Sequence, residues 1–169
     1  FRSHMPSTSG VTGPPQGCSV WPAFWTVGSD WPNNGEIDII EYVNTDRLVQ
    51  TTLHTNAACD QGSEDPSSFT GTWGLTYDNL PSDNCDVNAA GQYANAGCGI
   101  IGADSTVGAS FNSNGVKGGA FAMEWTNGTA IRVFYFPRNT IPSDLQSGNP
   151  NPDSWGKPYA RFELSDSSC

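Results

Sequence analysis

Short runs of aliphatic, β-branched and aromatic residues recur along this chain, often with polar residues at alternate positions, and clusters of Gly, Pro, Asn and Asp separate them. Such runs predict strands and the clusters predict turns. Residues 36–43, EIDIIEYV, follow the turn signal Asn33-Asn34-Gly35 and predict a strand with one buried face. After a turn at 44–47, residues 48–55 (LVQTTLHT) alternate as a second strand. Residues 19–27 (SVWPAFWTV) predict a strand or a strand edge, because Pro22 cannot donate to a ladder. Residues 120–126 and 130–136 predict a hairpin around Asn127-Gly128, and 159–164 predict a last strand. Residues 56–118 are polar and Gly-rich with little periodicity, which predicts long stapled loops, while 137–145 predicts a connection. The sum is an all-β chain, an antiparallel β-sandwich rich in turns.

The strand at 36–43 carries three carboxylates, Glu36, Asp38 and Glu41, among Ile37, Ile39, Ile40, Tyr42 and Val43. Side chains alternate across a strand, so Glu36 and Asp38 share a face and Ile37 and Ile39 share the other. Strict alternation would send Glu41 into the core. One extra residue, a β-bulge at Ile39-Ile40, returns Glu41 to the acidic face. The Cα atoms of Glu36 and Glu41 then lie roughly 13 Å apart, and glutamates leaning inward can bring their carboxyls to about 5–5.5 Å. That is the spacing of a nucleophile and acid/base pair in a retaining glycosidase; the wider inverting spacing is less natural here. If the next strand forms a hairpin, Tyr42 and Val43 pair with Val49 and Leu48. Gln50 then lies opposite Glu41, Thr52 opposite Asp38 and His54 opposite Glu36, all on the acidic floor. The plainer reading is a solvated strand face whose acids only keep the sheet soluble. Against it stand the mutual repulsion of three close carboxylates and the density of Trp around them.

Composition narrows the partners. The 169 residues fit one domain, and 36% hydrophobic residues with 19 Gly and 12 Pro suit many strands and turns. Seventeen acidic against seven basic residues give a formal charge of −10, which argues against nucleic acid and suits a neutral substrate. No segment approaches the roughly 18 apolar residues of a membrane helix. Five cysteines (18, 59, 85, 98 and 169) suggest disulfides and an oxidising compartment, with the odd one unpaired or paired to sequence beyond this chain. No Cys/His spacing suggests zinc, and neither a phosphate loop nor a G-x-S-x-G elbow is present, so no cofactor or metal is expected. Asn127-Gly128-Thr129 is a glycosylation sequon as well as a turn. The chain reads as an internal portion of a longer secreted precursor, lacking strands at both ends, with Ser3-His4-Met5 as native sequence. A monomer is expected.

The stretches GCSVWPAFWTVG and WPNNGEIDIIEYVN resemble the catalytic core of family 16 glycoside hydrolases, in particular fungal laminarinase-like endo-1,3(4)-β-glucanases. Their motif places a hydrophobic residue after the first Glu and two after the Asp, which is the bulged spacing found here. The likeness continues through TTLHT (51–55), AMEWTNG (122–128) and VFYFPRNTIPSD (133–144). It implies a jelly-roll, concanavalin A-like sandwich whose concave face holds an extended β-glucan. It implies Glu36 as nucleophile, Glu41 as acid/base and Asp38 as the assisting carboxylate between them. Trp25 and Trp31 match cleft positions, where an indole face stacks on a pyranose. Trp21 is assigned to the core, and Glu124 and Trp125 are taken as structural. Rival activities are transglycosylation by the same acids and glucan binding without turnover.

Overall fold

The computed structural model describes residues 19, 21–41, 43–44, 48–102, 119–165 and 169. Cys18, Ser3-His4-Met5, Tyr42, residues 45–47 of the turn and residues 103–118 of the long loop lie outside the described residues. The chain is all-β and forms two antiparallel sheets. Eight strands are described: β1 (Ala23–Val27), β2 (Glu36–Glu41), β3 (Gln50–His54), β4 (Thr72–Trp73), β5 (Cys98–Ile101), β6 (Gly119–Thr126), β7 (Ala130–Pro137) and β8 (Ala160–Glu163). The first sheet has the order β1-β2-β3-β5-β4 and the second β6-β7-β8.

Alternation explains which face each strand buries. Ile37 and Ile39 of β2, Leu53 of β3 and Ile100 of β5 point inward and meet Ile131 and Val133 of β7 and Phe162 of β8. Each such side chain, removed from water, contributes about 1.5–3 kcal/mol, so this double layer is the main source of stability. Trp73 joins it, edge to face with Phe69 and tilted against Phe162. The opposite face of the first sheet is left for polar residues.

Several expectations are corrected. Strand β1 starts only after Pro22, and the β2–β3 ladder ends at Glu41 and Gln50, so Val43 and Leu48 are not paired as expected. Val49 is instead fully buried. The stretch read as loop contains β5, which sits inside the first sheet between β3 and β4. Its four residues, CGII, are too few to show a period. The connection after β7 carries a 3-10 turn (Arg138–Thr140) and a short helix, α1 (Ser143–Ser147). The hairpin of β6 and β7 is as expected, running in register from Thr126↔Ala130 to Gly119↔Pro137.

The long loop is stapled to both sheets. Cys85–Cys98 ties it to β5, and Cys59–Cys169 ties it to the last residue of the chain. Buried Gln61 donates from Nε2 to the Glu163 carbonyl (3.1 Å) and accepts from the Glu163 N–H (2.7 Å), occupying the free edge of β8 as a strand would. Arg161 bridges Glu64 and Glu163 beside it. Among the described residues no helix is long and apolar enough to cross a membrane.

Candidate active site

The site begins with the loop between β1 and β2. Its ends are clamped by the Gly28 N–H on the Gly35 carbonyl (2.9 Å), and Asn34 N–H bonds to the Asp30 carbonyl (2.9 Å). Gly35, at φ +71, supplies the left-handed turn that sends the chain into β2. This loop carries Trp31 over the first acid: its indole N–H donates to Glu36 Oε2 at 2.6 Å.

β2 then carries the bulge. β1 pairs Trp25 with Asp38 and Phe24 with Ile40, and β3 pairs Thr52 with Asp38 and Gln50 with Glu41, so the extra residue lies at Ile39-Ile40. His54 faces Glu36. The bulge frees the Ile39 carbonyl from the ladder, and two buried hydroxyls take its place as partners. Thr51 Oγ1 donates to it at 2.9 Å and Tyr159 OH at 3.2 Å, and the two hydroxyls also touch each other. Tyr159 belongs to the second sheet's side of the core. The two sheets are therefore pinned together at the residue that sets the direction of Glu41.

Glu36, Asp38, Glu41, Gln50, Thr52 and His54 thus share one face, with Trp25 half-exposed beside Asp38 on the edge strand. Asp38 is buried and bonded to His54, Oδ2 to Nε2 at 2.9 Å. Glu41 accepts the Thr52 hydroxyl on Oε2 (3.2 Å) and the Trp21 indole N–H on Oε1 (2.6 Å), while Gln50 donates to Thr52 Oγ1 (3.0 Å). Each outer glutamate therefore carries an indole donor, and the inner aspartate carries a histidine.

Burial pushes the pKa of both glutamates above the ordinary glutamate value, and the negative charge of Asp38 adds to it. Trp31 and His54 oppose the rise at Glu36, and Trp21, Thr52 and His54 oppose it at Glu41. For His54, burial is the largest single influence and works against the imidazolium. The hydrogen bond and charge of Asp38, with the charges of Glu36 and Glu41, outweigh it and hold the pKa above the usual histidine value. The arrangement can keep one carboxyl protonated while a neighbour is ionised, which is what acid/base chemistry needs.

Trp21 was missed. It is 66% exposed and holds Glu41, not the core. Its even spacing from Trp25 was the only signal in the sequence. Glu124 is structural as expected, paired with Arg132, which also reaches Asp153 (2.8 Å). Trp125 borders a cavity of about 410 Å³ between the sheets, lined by Ile37, Leu53, Ile131 and Leu164 and closed by Cys59 and Cys169. Glu36 stands at its rim, but Ile37 and Leu53 point there, away from the acids. This apolar hollow lies on the core side of β2 and the acid floor on the other. Among the described residues no group of three or more His, Cys, Asp and Glu is arranged to hold a metal ion.

Residues 9–169 match the XgeA-like catalytic GH16 domain. A probable glycosidase of Schizosaccharomyces pombe is 44% identical over 156 residues, covering 92% of this chain and 34% of the relative. The endo-1,3(4)-β-glucanase xgeA of Emericella nidulans is 41% identical over 146 residues, covering 86% and 21%. Among solved structures, laminarinase 16A of Phanerochaete chrysosporium, holding 6-O-glucosyl-laminaritriose in donor and acceptor sites, has a TM-score of 0.69 at 41% identity. The match covers 93% of this chain and 50% of that one. An elongating GH family 16 β-1,3-glucosyltransferase has a TM-score of 0.70 at 38% identity, covering 96% and 46%. The chain thus spans about a third or less of these curated relatives and about half of the solved chains.

Proposed function

Because the chain belongs to glycoside hydrolase family 16, we propose that it is the core of a retaining endo-hydrolase of β-1,3- and β-1,3-1,4-glucans such as laminarin and lichenan. One observation carries the reading: two glutamates with raised pKa, each held by an indole, flank the buried Asp38 and its partner His54 on one open sheet face. Glu36, which accepts the Trp31 indole N–H and lies opposite His54, is the nucleophile. Its carboxylate attacks the anomeric carbon while Glu41 gives its proton to the departing glycosidic oxygen, leaving a covalent glycosyl-enzyme. Water then attacks the same carbon, Glu41 takes a proton from it, and Glu36 is released. Burial and then the charge of Asp38 raise the pKa of Glu41, which favours the protonated form that a general acid needs. Trp25 and Trp31 offer ring faces to sugars, and Gln50, Thr52 and His54 line the floor beneath.

The names of the relatives support a glucan substrate, and they also support a second reading. The likeness to an elongating β-1,3-glucosyltransferase favours transfer of the glycosyl group to another sugar by the same acids. The two disulfides and the exposed Asn127 in its sequon support a secreted, glycosylated protein.

The test is reducing-end release from laminarin by the folded chain, with Glu36→Ala as control and the anomeric configuration of the first product read by NMR. Release of β-anomer that vanishes in the variant supports retaining hydrolysis. Products longer than the substrate would favour transfer. No release and no elongation by a chain shown to be folded would overturn the enzymatic reading.

A further inference from the structure

We propose that Tyr77 and Tyr93 form a distal sugar-binding platform that lengthens the acid floor beyond His54 and favours long neutral glucan chains over short ones. The proposal rests on the reading of the floor as a glucan site and extends it.

The two rings pack edge to face with centroids 4.3 Å apart, yet both tyrosines remain more than half exposed. Leu75 and Leu80, also more than half exposed, belong to the same 74–97 loop. Contiguous exposed apolar side chains are a feature of binding surfaces. The pair is held rigidly. Tyr77 OH donates to the Gln92 carbonyl. The buried Gln92 side chain bonds in turn to the Asn84 carbonyl (2.8 Å), the Asn84 N–H (3.0 Å) and the Gly97 carbonyl (3.0 Å).

The same bonds tie the platform to the floor. Tyr93 opens a turn, closed by the Ala96 N–H on its carbonyl (2.9 Å), that delivers the chain to Gly97. Gly97 lies directly against the histidine of the site: a Cβ there would meet His54 Nδ1 at 2.7 Å. A turn keeps its ends within about 7 Å, and Gly97 follows Ala96 directly, so the Tyr93 backbone lies near the His54 end of the floor. Gly99, one pleat along, leaves the space that the Gln50 side chain occupies. Gly97 and Gly99 thus join the backbone that carries the tyrosines to the strand residues that line the floor.

Charge selects the ligand. No Lys or Arg occurs between Arg47 and Lys117, whereas the loop itself carries Asp78, Asp83 and Asp86. An anionic partner is repelled, and a neutral polymer offering apolar C–H faces fits two tyrosine rings.

The experiment measures affinity for laminariheptaose and laminaritriose on a Glu36→Gln background, with and without Tyr93→Ala. Tyr93→Ala lowers the ratio of heptaose to triose affinity roughly three- to tenfold, the range of an aromatic contact. Tyr93→Phe, which keeps the ring, preserves the ratio. A ratio unchanged in Tyr93→Ala, or equal losses on both sugars, overturns the platform. A shift in oligomeric state without a change in ratio also overturns it, assigning the patch to a second copy. If the background variant binds neither sugar and the wild type releases no product, the glucan reading itself fails and the platform with it.

Discussion

Replacing Tyr159 by Phe removes one of the two hydroxyls that hold the Ile39 carbonyl, and replacing Thr51 by Val removes the other without changing the shape of the side chain. Both residues are buried, so water does not substitute freely. Each single change leaves the carbonyl one partner and costs about 1 kcal/mol, the net value of a neutral hydrogen bond. The double change orphans it and adds a desolvation penalty of roughly 1–3 kcal/mol, for a total of about 3–5 kcal/mol. The two sites should therefore couple by about 1–3 kcal/mol in a double-mutant cycle of urea unfolding. Activity should follow the bulge. If the register relaxes by one residue, Glu41 turns toward the core. Even a displacement of about 1 Å is enough to lower kcat roughly a hundredfold. A double variant that is additive within about 0.5 kcal/mol and retains wild-type kcat would refute the clamp and show that β2 holds its bulge by itself.

Two further outcomes are expected. Both indole donors stabilise ionised carboxyls, so removing either raises the pKa of its glutamate further. Trp31→Phe should move the acid limb of kcat/KM on laminarin to higher pH, because Glu36 must be ionised to attack. Trp21→Phe should move the alkaline limb to higher pH, because Glu41 then keeps its proton longer. Limbs that stay in place, or interchange, would contradict the assigned roles. Changing Cys59 and Cys169 to Ser opens a closure across 110 residues of sequence and should cost about 2–5 kcal/mol in urea unfolding. A loss below roughly 1 kcal/mol would mean that Gln61 alone holds the loop on β8.

Much of the site was legible because it depends on local order. A period of two placed Glu36 with Asp38, the need to keep Glu41 on their face located the bulge, and a hairpin then put Gln50, Thr52 and His54 opposite the acids. The observed register agrees at each of these pairs. The all-β class followed from the same alternation and from the turn residues between runs.

What local order does not encode is which distant segment meets which. Tyr159 reaches the Ile39 carbonyl across 120 positions, and Cys59 meets Cys169 across 110. Strand β5 joins β3 although its four residues carry no readable period. Trp21 has the composition of a core residue, but the path of the chain before β1 places it over Glu41. The alternating strands, the acid face and the partner register were readable from local order, because each is a matter of neighbours a few residues apart. Only the packing of one sheet on the other decided the clamp on the bulge, and only chain path and sheet order decided the indole on Glu41 and the packing of Tyr77 on Tyr93. Those contacts form wherever the folded backbone brings two surfaces together, and no spacing along the chain records them.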